Sequence, residues 1–209
     1  MKKMLLIILA LILLQLLRIA FKHLIFAAAD HTLISEVIVS MIFMLIIIAV
    51  STVVIKRKKL DINLFPERFS SVYKILTVIA MLLLIAAPII TKSYELYDLL
   101  WLLYNAVVTV IFEEIIFRGL IYKSISKIYN DLIAYIVSTA LFGIWHLGYI
   151  DTIIWRTSLF ASAPNIAKIM CMKVITGLLI GIVIGFLRYK KKNVYLSMLL
   201  HSVINIIGS

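Results

Sequence analysis

LISEVIVSMIFMLIIIAVSTVVI, residues 33–55, carries one charge, Glu36, and neither proline nor glycine. A bilayer-crossing helix needs about 20 mostly apolar residues, and this stretch supplies them. Six further segments approach the same reading: roughly 4–28, 72–90, 97–118, 132–155, 173–188 and 193–208. The last two are short and have room to extend into their flanks. The whole chain agrees: 209 residues, 64% hydrophobic and 15% charged, with a mean hydropathy of +1.14. Soluble domains carry roughly 45–50% apolar and about 25% charged residues. A soluble core of this length cannot hide so much apolar surface, so the solvent is lipid. The sequence therefore predicts an all-α, polytopic membrane helix bundle of about seven transmembrane helices. Residues 1–209 read as a single integral membrane domain with a motif-bearing core over 97–208, because no long polar segment leaves room for a soluble one.

Met1-Lys2-Lys3 followed by apolar residues 4–17 imitates a secretory signal, with Ala27-Ala28-Ala29 as a cleavage site. Arg18, Lys22 and His23 intervene and make the region too long and basic for one; an uncleaved first span is the better reading. Orientation follows the basic residues. With the N-terminus in the cytoplasm, fifteen of the 21 Lys and Arg fall inside, among them Lys2, Lys3, Lys56 to Lys59 and Lys190 to Lys192, and six outside. The positive net charge of +11 is then a topology signal, with attraction to anionic membrane lipid a secondary consequence; nucleic acid is not a partner. The plasma membrane of a bacterium is the expected location. In span six, Gly177, Gly181 and Gly185 place one glycine per turn on one face. Such stripes let helices approach closely in lipid, here against a neighbouring span of the same chain, with a homo-oligomer seam as the alternative. The single cysteine, Cys171, excludes an internal disulfide and reads as a small packing residue.

Chemistry concentrates in Val110-Ile111-Phe112-Glu113-Glu114-Ile115-Ile116-Phe117-Arg118. A charge at the bilayer centre costs about 2.5–3.5 kcal/mol on insertion scales, so intramembrane ionisable residues mark function by default. Glu114 and Arg118, four apart on a helix, face the same way and can neutralise one another. Glu113 points about 100° further round and is left without an obvious partner, which suits a general base. A structural ion-pair network that locks helices together is the plainer alternative. His146 ends Phe142-Gly143-Ile144-Trp145-His146, and His201 and Asn205 sit four apart in His201-Ser202-Val203-Ile204-Asn205. A lone histidine on an apolar face is usually a satisfied core residue. Two of them, with an asparagine and a carboxylate on separate spans, supply a base, a second imidazole and donors for a developing oxyanion. Glu113, His146 and His201 would equally make a first shell for Zn²⁺.

Glu-Glu-x-x-x-Arg, Phe-x-x-x-His and His-x-x-x-Asn, in this order on three spans over residues 113–205, resemble the CAAX-protease and bacteriocin-processing (CPBP, or Abi) family of intramembrane proteases. The resemblance implies that Glu113 activates water with help from His146, that His201 and Asn205 stabilise a tetrahedral oxyanion, and that Glu114 and Arg118 support the site. It also implies a metal-free, glutamate-dependent mechanism in preference to a metal-dependent one, with no cofactor; asparagine is a poor zinc ligand and a good oxyanion donor. The function it implies is an endopeptidase hydrolysing a peptide bond in a membrane-associated protein or peptide. A non-catalytic bacteriocin-immunity or regulatory protein acting by binding is the alternative. A small proton-coupled transporter would show pseudo-repeats and discontinuous helices, which the sequence lacks.

Depth adds a constraint. A fourth helix ending at Arg118 would hold the glutamates near the cytoplasmic face, while His146 lies roughly 21 Å into span five at 1.5 Å per residue. Ile121, Tyr122, Ile125 and Ile128 offer an apolar face for continuing that helix to about Lys127, which predicts a site below the cytoplasmic surface reached by a water-filled cleft. Arg18 is expected to snorkel to the interface in preference to pairing with Glu36. His23, His31, Tyr94, Tyr97, Trp101 and Tyr149 are expected as interfacial residues, and Lys190-Lys191-Lys192 as a stop signal.

Overall fold

The structure is a computed structural model that describes residues 2–159 and 165–208. Among the described residues six helices are long and apolar enough to cross a membrane: α1 (Lys2–Phe26), α2 (Leu33–Arg57), α3 (Ser71–Thr91), α4 (Leu96–Ser126), α5 (Asp131–Ser158) and α6 (Ile166–Lys191). A shorter seventh, α7 (Tyr195–Ile207), follows. The chain is an all-α helix bundle and an integral membrane protein. Helix α6 is longer than the expected 173–188, because Asn165 caps it seven residues earlier through the Lys168 amide. The stretch between spans five and six, which reads in the sequence as an external loop around Pro164, lies mostly outside the described residues.

Burial runs opposite to that of a soluble protein. In α1 the buried residues are Arg18 and Lys22, while Leu6 is 63% and Leu24 73% exposed. In α3 the one buried residue is Ala80, and Ile90 is 75% exposed. Apolar side chains outside and charges inside are stable only where the surroundings are hydrocarbon.

The helix ends group into two faces. At the lysine-rich face Lys123 approaches Asp61 at 3.8 Å and Lys192 pairs with Asp131 at 2.5 Å. Arg188 donates to the Ile62 carbonyl, and the Val194 amide to the Asn63 carbonyl. At the opposite face His31 stacks between Phe26 and Trp155, with ring centroids 3.7 Å apart on both sides, and Arg156 lies 4.3 Å over the Trp101 ring. The expected extension of the fourth helix is present, through Ser126. It is not uniformly α-helical: Tyr104–Val108 and Glu114–Ile121 are π turns. Such wide turns collect at functional sites and redirect side chains and carbonyls.

Helices α5 and α6 pack along the glycine stripe. A Cβ at Gly181 would sit 3.0 Å from the Phe142 ring, and one at Gly185 2.8 Å from Thr139 Oγ1. The stripe is thus occupied by contacts within the chain. Cys171, expected in packing, is instead exposed; it lies off the face that α6 turns to α5.

Candidate active site

Glu113 and Glu114 enter the bundle side by side from α4 and are both buried. Glu114 turns toward Arg118, whose Nη1 lies 3.2 Å from its Oε1, with neither side chain exposed. The guanidinium also stacks 4.0 Å over the Phe142 ring, so aromatic face and carboxylate together compensate the buried cation. His201 joins the same carboxylate, its Nδ1 3.0 Å from Glu114 Oε1. Glu114 therefore ties α4 to α7 and fixes the His201 ring. The Nε2 edge of that ring is presented to Glu113, 3.9 Å from its Oε2.

Glu113 is not without partners, as its sequence surroundings suggested. The Tyr149 hydroxyl donates to its Oε1 at 3.4 Å, and the Trp145 indole N–H in turn donates to that hydroxyl at 3.2 Å. Tyr149 is thus a site residue and no interface anchor. The cause is local: α5 tightens into a 3₁₀ turn over His146–Tyr149, and this change of pitch swings Tyr149 inward. Trp101 too lines the cavity.

His146 opens the 3₁₀ turn of α5. Its Nδ1 lies 2.8 Å from the Phe142 carbonyl; a carbonyl only accepts, so Nδ1 carries the proton and Nε2 of the neutral ring is left as a proton acceptor. Gly177 of α6 makes room for the ring, since a Cβ there would stand 2.7 Å from Nδ1. Asn205, one turn beyond His201, donates from its amide to the Asn105 carbonyl at 2.9 Å. Asn105 belongs to the first π turn of α4, where the wider ladder leaves its carbonyl within reach of α7.

These elements enclose a cavity of about 800 Å³, lined by Glu113, His146, His201 and Asn205 together with Tyr104 and Tyr149. The four candidates expected from sequence thus share one space, with Glu114 and Arg118 behind it. Away from Glu113 the lining continues to Glu36, Trp101, Arg156 and Lys168, at the opposite face. On the lysine-rich side Ile62, Tyr122, Arg188 and Val194 are all buried.

A second charged cluster supports the first. Arg18 is 3% exposed and reaches inward, contrary to the expected snorkelling. It pairs with Asp151 at 2.5 Å and donates to the Gly148 carbonyl at 2.7 Å. Gln15 donates to the Trp145 carbonyl at 3.1 Å. Helix α1 thereby grips the 3₁₀ turn that carries His146 and Tyr149. Lys22 continues the cluster to Glu36 at 2.5 Å, and Glu36 meets His31 Nε2 at 2.8 Å. His31, expected at the interface, is held in this network, whereas His23 is exposed. None of these pairings is legible in sequence: Arg18 and Asp151 stand 133 residues apart.

As a zinc shell the residues fit poorly. Among the described residues no three His, Cys, Asp or Glu side chains converge as metal ligands. His201 Nδ1 is turned to Glu114 and His146 Nδ1 to a carbonyl.

No curated protein and no solved structure matches the chain. A family model matches residues 95–207, that of the type II CAAX prenyl endopeptidase Rce1-like family. The match covers more than half of the chain, all of α4 to α7 and every residue from Glu113 to Asn205 in the cluster. The chain therefore belongs to the Rce1-like family of type II CAAX prenyl endopeptidases.

Proposed function

We propose that this chain is an intramembrane endopeptidase that hydrolyses a peptide bond in a membrane-associated protein or peptide. The observation that carries the reading is the convergence of Glu113, His146, His201 and Asn205, from three helices, on one cavity. Water held between Glu113 and the acceptor Nε2 of His146 attacks the carbonyl carbon, and Glu113 takes its proton. Negative charge then develops on the carbonyl oxygen, where His201 and Asn205 stabilise it. Collapse breaks the C–N bond, and the proton held by Glu113 passes to the leaving amine.

His201 Nδ1 is held by Glu114 and its Nε2 edge is turned to Glu113, so the ring stands beside the place where an oxyanion next to Glu113 would form. Glu114 and Arg118 position that ring. No step needs a metal. The apolar lining from Val37, Ile153, Met172 and Ile180 suits a substrate with an apolar or lipidated chain, and the family's name makes a prenylated peptide the first class to try. The bias of Lys and Arg supports a cytoplasmic N-terminus, and the compact, Lys- and Ile-rich chain supports a bacterial plasma membrane.

The test compares new protein termini across a proteome in cells with the wild-type chain, cells without it, and cells with Glu113→Gln at equal abundance. Termini unique to wild type establish proteolysis and name the substrate. Identical termini and phenotype for wild type and Glu113→Gln would refute catalysis and leave the immunity or regulatory role, exerted by binding.

A further inference from the structure

The two carboxylate oxygens of Glu113 are not equivalent. Oε2 stands 3.9 Å from His201 Nε2. Oε1 receives the Tyr149 hydroxyl at 3.4 Å, a loose contact of the kind that tightens when substrate enters. The direction of that hydrogen bond is fixed from behind. An indole N–H only donates, so Trp145 Nε1, 3.2 Å from the Tyr149 oxygen, uses the phenol as an acceptor and leaves its one hydrogen to Glu113. Trp145 is 4% exposed, and its ring packs against Phe112 and Phe117 with centroids 6.0 and 5.8 Å away. The phenol ring is held on its own account: the Arg18 guanidinium lies 5.1 Å over it and the His146 ring 6.1 Å from it. Tyr149 also lines the cavity that Glu113, His146 and His201 share. Its hydroxyl is therefore held in place and turned to one oxygen of one carboxylate.

We propose that Tyr149 is a positioning residue that selects which oxygen of Glu113 acts as the base. This role rests on the endopeptidase reading; the contact itself does not. An oxygen that already accepts a hydrogen bond is the poorer proton acceptor. The proton of the attacking water therefore goes to Oε2, while the hydroxide oxygen bonds to the carbonyl carbon. When the C–N bond breaks, its electron pair stays on nitrogen, and the proton passes from Oε2, on the His201 side, to the leaving amine. A proton lodged on Oε1 would point toward Tyr149, away from the amine, and the cycle would stall. Tyr149 thus divides a symmetrical carboxylate into a holding oxygen and a working one, with Trp145 keeping the phenol in the donor role.

The contact is read without turnover, by ultraviolet resonance Raman on purified protein in phosphatidylcholine nanodiscs. Bands of Tyr149 and Trp145 are assigned by difference from Tyr149→Phe and Trp145→Phe. Tyr149 is expected to read as a hydrogen-bond donor in the wild type and to lose that signature in Glu113→Leu, and the Trp145 N–H band to move in Tyr149→Phe. A Tyr149 band indifferent to Glu113→Leu overturns the contact. The role is read as turnover of an internally quenched peptide with an S-farnesyl cysteine fourth from its C-terminus, the class that the family's name supplies. Tyr149→Phe keeps the ring and removes the hydroxyl. Its kcat is expected to fall about 10- to 100-fold, the worth of one hydrogen bond to a charged group, with KM within about twofold. A tyrosine that only packs would leave kcat unchanged, and one that binds substrate would raise KM; either result overturns the proposal. Glu113→Gln has no base to sort, so adding Tyr149→Phe to it is expected to change the residual rate by less than about twofold; a further loss as large as in the wild type would refute a role exerted through Glu113. Equal rates for wild type and Glu113→Gln would refute the endopeptidase reading and the role with it, while the Raman result on the contact stands.

Discussion

Glu113 and Glu114 are adjacent and both buried, yet their surroundings divide their work. Glu114 is spent on Arg118 and His201; Glu113 faces the cavity with a hydroxyl and the edge of an imidazole near it. Glu113→Gln keeps shape and hydrogen bonding but removes the base, so turnover is expected to fall about 10²–10⁴-fold with thermal unfolding unchanged. Glu114→Gln strands the Arg118 charge in the bundle, for which loss of a buried partner costs about 3–5 kcal/mol. It should lower the unfolding temperature as well as activity. Measuring both quantities on both variants decides the matter, and an intact melting curve for Glu114→Gln would contradict its bridging role. Gly177 makes a third case. Alanine there presses on His146, an overpacking cost of about 1–3 kcal/mol, relieved most easily by breaking the Nδ1 bond to Phe142. Gly177→Ala is thus expected to lose activity out of proportion to stability. Extensive treatment with a zinc chelator should leave turnover within about twofold, given how poorly the donors suit a metal shell; loss of activity restored by zinc alone would show that the ligands regroup around one.

The elements explain what sequence could and could not reveal. The long α4 was legible because Ile121, Tyr122 and Ile125 continue an apolar face past Arg118; Tyr122 and Ile125 are indeed buried. Glu113, His146 and His201 were legible because ionisable side chains in apolar runs are too costly to be idle, and Asn205 by its place four residues after His201. Tyr149 was not, since an aromatic near a span end reads as an anchor until the 3₁₀ turn that redirects it is known. The π turns leave no compositional trace. Nor was the grip of α1 legible, for pairings over some 130 residues have no local pattern. That grip makes a prediction at its own scale: Gln15 and Arg18 lie outside residues 95–207, the family match, yet they hold the backbone of the turn bearing His146 and Tyr149. Arg18→Met is expected to lower turnover by more than about tenfold. Adding Asp151→Asn should recover stability but not turnover, because the bond to the Gly148 carbonyl stays lost. A double-mutant cycle on unfolding should return a coupling of about 0.5–3 kcal/mol, and strict additivity would mean that the pair does not act as a unit.

At the scale of the molecule the two faces do different jobs, and Arg188 is where the closed one can be tested. Its guanidinium is 2% exposed, bonded to the Arg118 and Ile62 carbonyls and 4.5 Å over the Tyr122 ring. Those carbonyls are left over by the π turn of α4 and by an irregular loop, and unpaired carbonyls inside a membrane protein are expensive. The arginine therefore completes two backbones that cannot complete themselves and holds the loop after α2 as a lid on the lysine-rich face. Arg188→Met fills similar volume but donates nothing. Each charge-assisted bond lost costs about 1.5–3 kcal/mol, and the loop is the part free to move. Limited trypsin digestion in nanodiscs should then cut within residues 56–68 faster than in wild type, while a neutral lipidated peptide binds the Glu113→Gln cavity within about twofold as before. Unchanged cleavage with abolished binding would reverse the picture: the lysine-rich face would form part of the substrate site instead of closing it.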